Sequence, residues 1–286
     1  MSERLVITGA GGLVGRRLAA EARRRGRDVL ALTSAQCDIT DPTAPERHVA
    51  AGDVVVNCAA YTRVDDAEAD DTRAQAVNAA GAENVAHACA RAGAELIHVS
   101  TDYVFSGDFG GAPPRPYEIG DETGPVSVYG RTKLEGEFAV LSAMPTAHVV
   151  RTAWIYAGAD GGSDFVSVMR ARAAGDETVD VVADQIGSPT YVGDLVDALL
   201  QVADGSIEES VLHAANQGAV SRFDQAQAVF ELMGADPGRV RPVGSDRHPR
   251  PAPRPMYSAL GSEQSTAAGL TPLRPWRDAL AAALSE

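Results

Sequence analysis

A glycine-rich segment near the start of the chain constrains the fold more than any other feature. Residues 8–15 read TGAGGLVG, directly after a buried-strand pattern at 4–8 and directly before an amphipathic helical pattern. In such a unit Gly9 suits a tight turn, Gly12 lets the backbone approach a bound group, and Gly15 lets helix and strand pack closely. This arrangement is typical of the first unit of a parallel sheet that binds a dinucleotide.

The start of the following helix supports the same interpretation. Leu13 and Val14 open that helix, and a helix N-terminus offers free N–H groups and a partial positive charge to phosphate oxygens. We therefore predict that Gly9, Gly12, Leu13, Val14 and Gly15 bind a dinucleotide cofactor. The alternative is a glycine turn of purely structural use.

Apolar strand patterns alternate with alanine-rich helical patterns through the first half of the chain. Strands are predicted at 4–8, 28–32, 53–57, 95–100 and 146–151, and helices at 12–25, 71–92 and 126–142. Because consecutive βαβ units are right-handed, this alternation predicts an α/β fold with a doubly wound parallel (Rossmann) sheet.

The pattern loosens after about residue 156. Further helices are predicted at 164–174, 192–203, 222–233 and 275–284, a strand at 211–214, a glycine-rich loop at 158–163 and an irregular proline-rich segment at 245–255. We predict a nucleotide-binding domain at 1–156, with contributions from about 188–215. Residues 157–286 are predicted to form most of a smaller, interleaved C-terminal substrate-binding lobe.

Composition excludes several classes of protein. Of the 286 residues, 45% are hydrophobic and 22% charged, as in ordinary globular chains. The net charge of −14 disfavours binding to nucleic acid, although a local cationic pocket could still hold an anionic substrate. No membrane-spanning run or signal peptide is expected, so we expect a cytoplasmic protein in which Cys37, Cys58 and Cys89 are small unpaired thiols.

The end of the second predicted strand bears on the choice of cofactor. Enzymes specific for NAD often have Asp or Glu at this position, but residues 31–34 read ALTS. This favours NADPH, with Ser34 or Arg16 beside its 2′-phosphate, and leaves NADH open. Asp38 and Ile39 are expected near the adenine.

Tyr129 and Lys133 are four residues apart in a predicted helix, so their side chains share one face. Lys133 is the only lysine among 25 basic residues. A phenol has a pKa of about 10, and a nearby ammonium group would lower that pKa and could also hold the nicotinamide ribose. We therefore predict that both residues are catalytic and also contact the cofactor.

A third catalytic group is expected at the end of the fourth strand, where ligands bind in parallel sheets. Thr101 is the preferred residue, because its hydroxyl can donate to a substrate carbonyl, and Ser100 is the alternative. Asp102 either orients substrate hydroxyls or caps the following loop.

These motifs resemble the extended short-chain dehydrogenase/reductase family and, more narrowly, the dTDP-4-dehydrorhamnose reductases. The matching segments are 8–15, VNCAAYTRVDDAE (56–68), VSTDYVFSG (99–107), YGRTKLEGE (129–137), VRTAWIY (150–156), DQIGSPTYVGDL (184–195) and RPAPRPMYSAL (250–260). The resemblance implies reduction of the C4 keto group of dTDP-4-dehydro-L-rhamnose. It also implies a catalytic trio of Thr101, Tyr129 and Lys133, with Asp102 and Trp154 at the sugar and Ala60, Tyr61 and Thr62 at the cofactor.

Related families remain as alternatives. Sugar-nucleotide dehydratases have Asp-Glu after the catalytic Thr, whereas here Tyr103 follows Asp102, so dehydration would lack its base. Another nucleotide-sugar ketoreductase, an epimerase, and a non-catalytic NADP-binding regulatory subunit stay open.

A dTDP-sugar substrate carries a diphosphate, which requires local cations. Arg247, Arg250 and Arg254 lie in the proline-rich segment, and we predict that Arg254 binds the diphosphate through paired hydrogen bonds. Gln185 is expected to shape the nucleotide pocket, and Trp154 to stack on the sugar or the nicotinamide. Some relatives are magnesium-linked dimers, so a homodimer and a need for Mg2+ are left open.

Overall fold

The computed structural model describes residues 4–158, 162–205 and 207–285. Its strands are β1 (Leu5–Thr8), β2 (Val29–Leu32), β3 (Val54–Asn57), β4 (Glu95–Thr101), β5 (His148–Thr152), β6 (Ile155–Tyr156), β7 (Val179–Val182), β8 (Ile186–Gly187), β9 (Thr190–Tyr191), β10 (Val211–His213), β11 (Val220–Ser221) and β12 (Val240–Val243). Its helices are α1 (Leu13–Arg24), α2 (Val64–Ala67), α3 (Asp71–Gln75), α4 (Ala82–Ala92), α5 (Val128–Ala143), α6 (Phe165–Ala173), α7 (Val192–Val202), α8 (Arg222–Leu232), α9 (Glu263–Ala267) and α10 (Trp276–Ser285).

The centre of the fold is a parallel sheet. Within the described residues, six strands pair in the order β10-β5-β4-β3-β1-β2, and every neighbouring pair is parallel. The predicted doubly wound sheet is therefore confirmed. Because β2 and β3 lie on opposite sides of β1, the strand order reverses there, and ligands bind at the carboxyl ends of the strands that flank such a point.

Both faces of the sheet are covered by helices. In β1, Leu5 and Ile7 pack in one apolar cluster with α1 and α7, whereas Val6 packs in a second cluster with α4 and α5. A strand buried on both faces must be apolar at every position rather than at alternate ones. This explains why the strand patterns of the first half are continuous runs.

The second half of the chain contributes to the same sheet. β10 pairs with the outer edge of β5, and α7 packs against α1. These elements lie within the segment at about 188–215 that the sequence assigns to the nucleotide-binding domain. The division of the chain at residue 156 stays a prediction.

Three small strand pairs were not predicted. β7 pairs with β12, β8 with β11, and β6 with β9. Strands of two residues have no periodicity to detect, and β12 contains Pro242, which argues against a strand in sequence alone. The pairing of β8 with β11 matters most, since it joins the QIGSPT segment to the start of α8.

The helix predicted at 71–92 has a wider π-helical turn at Ala76–Gly81 between α3 and α4. Such turns are frequent at functional sites. The buried Asn78 in this turn accepts a hydrogen bond from Tyr61 N at 2.8 Å and donates to Thr132 Oγ1 at 3.0 Å. It thereby ties α5 to the segment after β3.

Several loop predictions can be compared with the structure. The predicted glycine-rich loop at 158–163 includes residues 159–161, which lie outside the described residues. The segment at 245–255 is irregular apart from a 3-10 turn at Ser245–Arg247.

Cys37 and Cys89 are buried, Cys58 is half-buried, and all three thiols are free. No helix in the described part of the chain is long and apolar enough to cross a membrane.

We expect the buried ion pair between α5 and β5 to be essential for stability. Arg151 donates to both carboxylate oxygens of Glu137, at 3.0 and 2.7 Å, and both residues are buried. Glu137→Gln leaves a buried guanidinium without its counter-charge, so the free energy of unfolding should fall by about 3–5 kcal/mol. Urea unfolding measures this. The exposed pair of Arg131 and Glu135 on the same helix is the control, since Glu135→Gln should cost less than about 1 kcal/mol. Equal losses in the two variants would contradict the expectation.

Candidate active site

A cavity of about 760 Å3 lies at the carboxyl ends of β1 and β3, where the strand order reverses. Eleven of the predicted cofactor residues line it: Gly9, Gly12, Leu13, Val14, Gly15, Ser34, Asp38, Ile39, Ala60, Tyr61 and Thr62. The sequence did not single out Gly11, Thr33, Ala35, Cys37, Arg63, Arg73, Val77 and Ile155, which also line it. These residues come from loops whose positions depend on the packing of the whole sheet.

Two of the three glycines are required by the packing of the chain itself. Gly9 has a φ of +68°, and a Cβ atom there would lie 2.5 Å from the backbone nitrogen of Ala59 after β3. A Cβ on Gly15 would lie 2.6 Å from the Gly9 carbonyl oxygen. At the exposed Gly12 the nearest atom would be 3.4 Å away, so this position leaves space in the cavity wall.

The charge of the cavity wall suits an anionic ligand. Among its described residues, Arg63 and Arg73 are the two cations, and Asp38 is the one carboxylate. Ser34, one of the two residues expected beside a 2′-phosphate, lines the cavity. Arg16, the other, is exposed, and its guanidinium donates at 2.5 Å to the carbonyl oxygen of Gly11, which also lines the cavity.

The start of α5 brings Tyr129 to the end of β4. Ser127 caps the helix by accepting a hydrogen bond from Gly130 N at 3.1 Å. A Cβ atom on Gly130 would overlap the Tyr103 carbonyl oxygen, so helix and turn are in direct contact. As a result the Thr101 hydroxyl comes close enough to interact with the Tyr129 hydroxyl.

Ser100 and Thr101 point to opposite sides of β4. Ser100 Oγ donates to Glu137 Oε1 at 2.5 Å, inside the buried ion pair. Thr101 Oγ1 accepts from Tyr103 N at 3.2 Å and donates to Asp102 Oδ1 at 3.1 Å. The geometry thus favours Thr101 over Ser100 as the partner of Tyr129.

Asp102 is held more tightly than expected. It is only 2% exposed, and its second oxygen accepts from Ser258 Oγ at 2.5 Å. Burial raises the pKa of Asp102 to about 6, although the hydrogen bonds from Ser258 and Thr101 oppose this rise. The alternative that Asp102 caps the next turn is wrong, because the side chain that accepts from Tyr103 N is that of Thr101. Asp102 instead fixes the position of the Thr101 hydroxyl.

Lys133 lies one turn after Tyr129 and is 2% exposed. Its Nζ donates to the Val99 carbonyl oxygen at 2.8 Å and lies 3.2 Å from His98 Nε2. Burial lowers the pKa of Lys133 to about 8, and Glu137 opposes this shift.

The expected lowering of the Tyr129 pKa by Lys133 is not what the structure shows. Burial raises the pKa of Tyr129 above its ordinary value, and only the interaction with Thr101 opposes this. The physical reason is that the ammonium group of Lys133 is directed at Val99 and His98. In this arrangement the Tyr129 phenol stays protonated at neutral pH.

His98 is a site residue that sequence reasoning missed. It is fully buried, and its Nδ1 lies 3.1 Å from Asn57 Nδ2. Asn57 Oδ1 in turn accepts from Thr8 Oγ1 at 2.7 Å. Burial and the charge of Lys133 lower the pKa of His98 well below its ordinary value, so the ring is neutral. This chain of hydrogen bonds joins Lys133 to β4, β3 and β1.

Trp154 follows β5 and is the one non-glycine residue with a positive φ, +44°, in the described chain. Backbone strain of this kind occurs at functional sites. A Cβ atom on Gly187 would overlap the indole ring, so β8 leaves room for it. The Arg222 guanidinium covers the ring, with its carbon 3.5 Å from a ring centroid. Gln185 donates to Ser245 Oγ at 3.2 Å beside this group.

Arg254 is engaged within the protein. Its Nη1 donates to Asp65 Oδ1 at 2.5 Å and to the Ala252 carbonyl oxygen at 2.7 Å, and its guanidinium also hydrogen-bonds to Tyr103. The pKa of Asp65 is lowered, chiefly by this bond from Arg254. Arg254 therefore lies beside Tyr103 with its charge paired, and its binding of a diphosphate stays a prediction. Arg250, 3.9 Å from Asp65, and the exposed Arg247 lie on the outer side of this segment.

A metal site is not evident in the residues that the structure describes. In 4–158, 162–205 and 207–285, no three His, Cys, Asp or Glu side chains form a group that could hold a metal ion.

Comparisons with known proteins agree with this geometry. The family model described as RmlD substrate binding domain matches residues 3–286. A dTDP-4-dehydrorhamnose reductase from Mycolicibacterium smegmatis is 66% identical over 98% of this chain and 84% of the relative. A probable dTDP-4,6-dihydroxy-2-methyloxan-3-one 4-ketoreductase from Streptomyces antibioticus is 46% identical, over 97% of this chain and 93% of the relative. The crystal structure of a dTDP-4-dehydrorhamnose reductase from Bacillus anthracis in complex with NADP is 33% identical, with a TM-score of 0.90 and 99% of each chain covered.

We expect Gly12→Ala to weaken cofactor binding without unfolding the chain. The added methyl group meets no protein atom closer than 3.4 Å but projects from the cavity wall where a pyrophosphate would lie. The Kd for NADPH, measured by fluorescence titration, should rise at least about tenfold, with Tm within about 2 °C of the unchanged chain. Gly175→Ala, which adds a methyl group far from the cavity, is the control. An unchanged Kd in Gly12→Ala would argue against this position for the pyrophosphate.

Proposed function

The chain belongs to the RmlD substrate binding domain family, and we propose that it reduces the C4 keto group of dTDP-4-dehydro-L-rhamnose with NADPH to give dTDP-L-rhamnose. One observation carries the proposal. The hydroxyls of Thr101 and Tyr129 meet at the carboxyl edge of the sheet, with Lys133 one helical turn away. That is the set of groups that a carbonyl reduction needs.

Tyr129 is the proposed proton donor. When bound, the dihydronicotinamide supplies the hydride, and the oxygen at C4 then needs a proton. A reduction requires the donor to be protonated before the reaction, and burial keeps the Tyr129 phenol neutral. The protonated phenol is thus the state that the reduction requires.

Thr101 is the proposed second donor to the same oxygen. Its oxygen is positioned by the N–H of Tyr103, and its single proton, which is directed at Asp102 Oδ1 in this structure, turns to the substrate oxygen when the substrate binds. A donor positioned in this way stabilises the negative charge that develops on the carbonyl oxygen during hydride transfer.

Lys133 provides a buried positive charge behind Tyr129. With a pKa of about 8, it is mostly protonated at neutral pH. We also assign to it the nicotinamide ribose hydroxyls. The neutral His98 and the Val99 carbonyl oxygen set its position.

The cavity wall supports NADPH as the cofactor. Residues 31–34 carry no acid that would repel a 2′-phosphate, Ser34 lines the cavity, and Arg63 and Arg73 outnumber the single carboxylate of Asp38. A similar structure from Bacillus anthracis is in complex with NADP.

A different dTDP-linked ketone is the second candidate substrate. The relative from Streptomyces antibioticus is named as a 4-ketoreductase of another dTDP-sugar and is 46% identical. The protein residues that act on the C4 carbonyl would be the same for both substrates, so only the residues around the rest of the sugar would distinguish them.

The proposed reaction is tested by following NADPH oxidation at 340 nm with dTDP-4-dehydro-L-rhamnose made in situ, with and without Mg2+. We expect rapid oxidation that depends on the sugar nucleotide. Oxidation with another dTDP-linked ketone only would favour the second candidate. Binding of NADPH without turnover of either ketone would favour a regulatory subunit.

We expect Tyr129→Phe to lower kcat by about 10²–10⁴-fold, because the change removes the proton donor and leaves the ring in place. The Kd for NADPH should change less than about twofold. Stopped-flow kinetics and fluorescence titration measure these. Lys133→Arg is the companion variant and should also lose activity, since guanidinium is bulkier and cannot replace a compact ammonium. Near-normal turnover of Tyr129→Phe would refute the proposed donor.

We expect Ser34→Asp to reverse the cofactor preference. A carboxylate at this edge of the cavity repels a 2′-phosphate and can bind a free 2′-hydroxyl, so KM for NADPH should rise about tenfold or more while KM for NADH stays equal or falls. Ser34→Ala is the control without charge and should change both values by less than about threefold. A parallel rise in both KM values after Ser34→Asp would show that Ser34 is not near the 2′ position.

A further inference from the structure

Arg222 is a residue at the site that the sequence analysis did not single out. It is the first residue of α8, directly after β11, and β11 pairs with β8. Its backbone N–H donates to the Gln185 carbonyl oxygen at 3.2 Å. The small two-stranded sheet therefore fixes Arg222 next to the segment expected to shape the nucleotide pocket.

The side chain of Arg222 is held by aromatic rings. Its guanidinium carbon lies 3.5 Å from a ring centroid of Trp154 and 5.0 Å from that of Phe165. A guanidinium that stacks on an indole keeps its planar edge of N–H donors free for a ligand. The strained backbone of Trp154 and the space left by Gly187 hold the indole in this place.

Arg222 forms no direct ion pair in the described protein, although the charge of the buried Asp102 acts on it from a distance. Within residues 4–158, 162–205 and 207–285, its one side-chain hydrogen bond is to Gln225 Oε1 at 3.3 Å. Burial lowers the pKa of Arg222 to about 10, so it remains a cation at neutral pH. The carboxylate of Asp102 raises this pKa and the charge of Arg254 lowers it, so both groups act electrostatically on the Arg222 guanidinium.

Arg254 is the natural comparison, because it lies beside the same Tyr103. Its charge is neutralised by Asp65 at 2.5 Å, and it also bonds to the Ala252 carbonyl oxygen. A half-buried cation without a partner is costly unless a ligand completes it. The charge of Arg254 is thus paired within the protein, whereas that of Arg222 is available to an anion.

We propose that Arg222, rather than Arg254, provides the main positive charge for the diphosphate of the sugar nucleotide. This inference rests on the proposed function and identifies a binding residue for it. The guanidinium, flat on Trp154, can form paired hydrogen bonds with phosphate oxygens. Arg254 then serves chiefly to tie the proline-rich segment to Asp65.

The test is isothermal titration of dTDP into the NADP-bound protein. Arg222→Gln should raise the Kd for dTDP at least about tenfold, while the Kd for NADPH and the Tm stay unchanged. Arg277→Gln is the matched control, since Arg277 also lies over an indole, that of Trp276, but is exposed and paired with Glu231. It should change the Kd for dTDP less than about twofold.

An unchanged dTDP affinity in Arg222→Gln would overturn the inference, as would an equal loss of affinity for dTDP and NADPH. If Arg222→Gln does not fold, Arg222→Lys decides, because ammonium cannot make paired bonds and the Kd for dTDP should still rise about threefold or more. An unchanged Kd in Arg222→Lys would then overturn it. Turnover of dTDP-4-dehydro-L-rhamnose by the unchanged chain is measured in parallel. If the unchanged chain turns over this substrate but its affinity for dTDP does not depend on Arg222, the inference fails and the proposed reaction stands. If dTDP binding requires Arg222 but no turnover occurs, the proposed reaction fails and the inference stands.

Discussion

The docking of α5 along β4 is the contact on which the site depends. Tyr129, Lys133 and Glu137 follow one another at intervals of four residues, so they share the helix face that is turned to the sheet. Tyr129 meets Thr101, Lys133 meets Val99 and His98, and Glu137 meets Ser100 and Arg151. Three polar groups thus occupy a face that an ordinary core helix would fill with apolar side chains. Each is buried or half-buried and interacts with the partner given above. Burying polar groups costs free energy, and the need to give each of them its partner favours one arrangement of the helix on the strand.

The cofactor cavity depends on a different constraint, the close approach of two loops where β1 and β3 separate. The backbone after β3 comes so near Gly9 that no side chain fits there, and α1 comes equally near through Gly15. The same two strands carry Thr8 and Asn57, whose hydrogen bond leads through His98 to Lys133. The strands that form the floor of the cavity and Lys133 therefore belong to one hydrogen-bonded network.

Much of this arrangement could be predicted from sequence, for reasons that are physical. Strands buried on both faces give continuous apolar runs, and the spacing of Tyr129 and Lys133 is local to one helix. Three features could not be predicted because they depend on long-range packing. The two-residue strands β8 and β11 have no hydrophobic periodicity, so the position of Arg222 beside Trp154 could not be predicted from the sequence. The pairing of Arg254 with Asp65 joins residues 189 positions apart. The direction of the shift in the Tyr129 pKa depends on burial and on where the Lys133 ammonium points. The spacing of the two residues in the sequence reveals neither.

The central claim is that a neutral, half-buried Tyr129 protonates the oxygen at C4 of a dTDP-linked 4-keto sugar as hydride arrives at the same carbon. The most direct test follows an isotope label. The chain is supplied with dTDP-4-dehydro-L-rhamnose and NADPH carrying deuterium at both C4 positions of the nicotinamide, and the product is examined by NMR and mass spectrometry. The account predicts dTDP-L-rhamnose with one deuterium at sugar C4, and almost none of it from Tyr129→Phe over the same time. Deuterium at another carbon, or the same labelled product from Tyr129→Phe at the unchanged rate, would contradict the account.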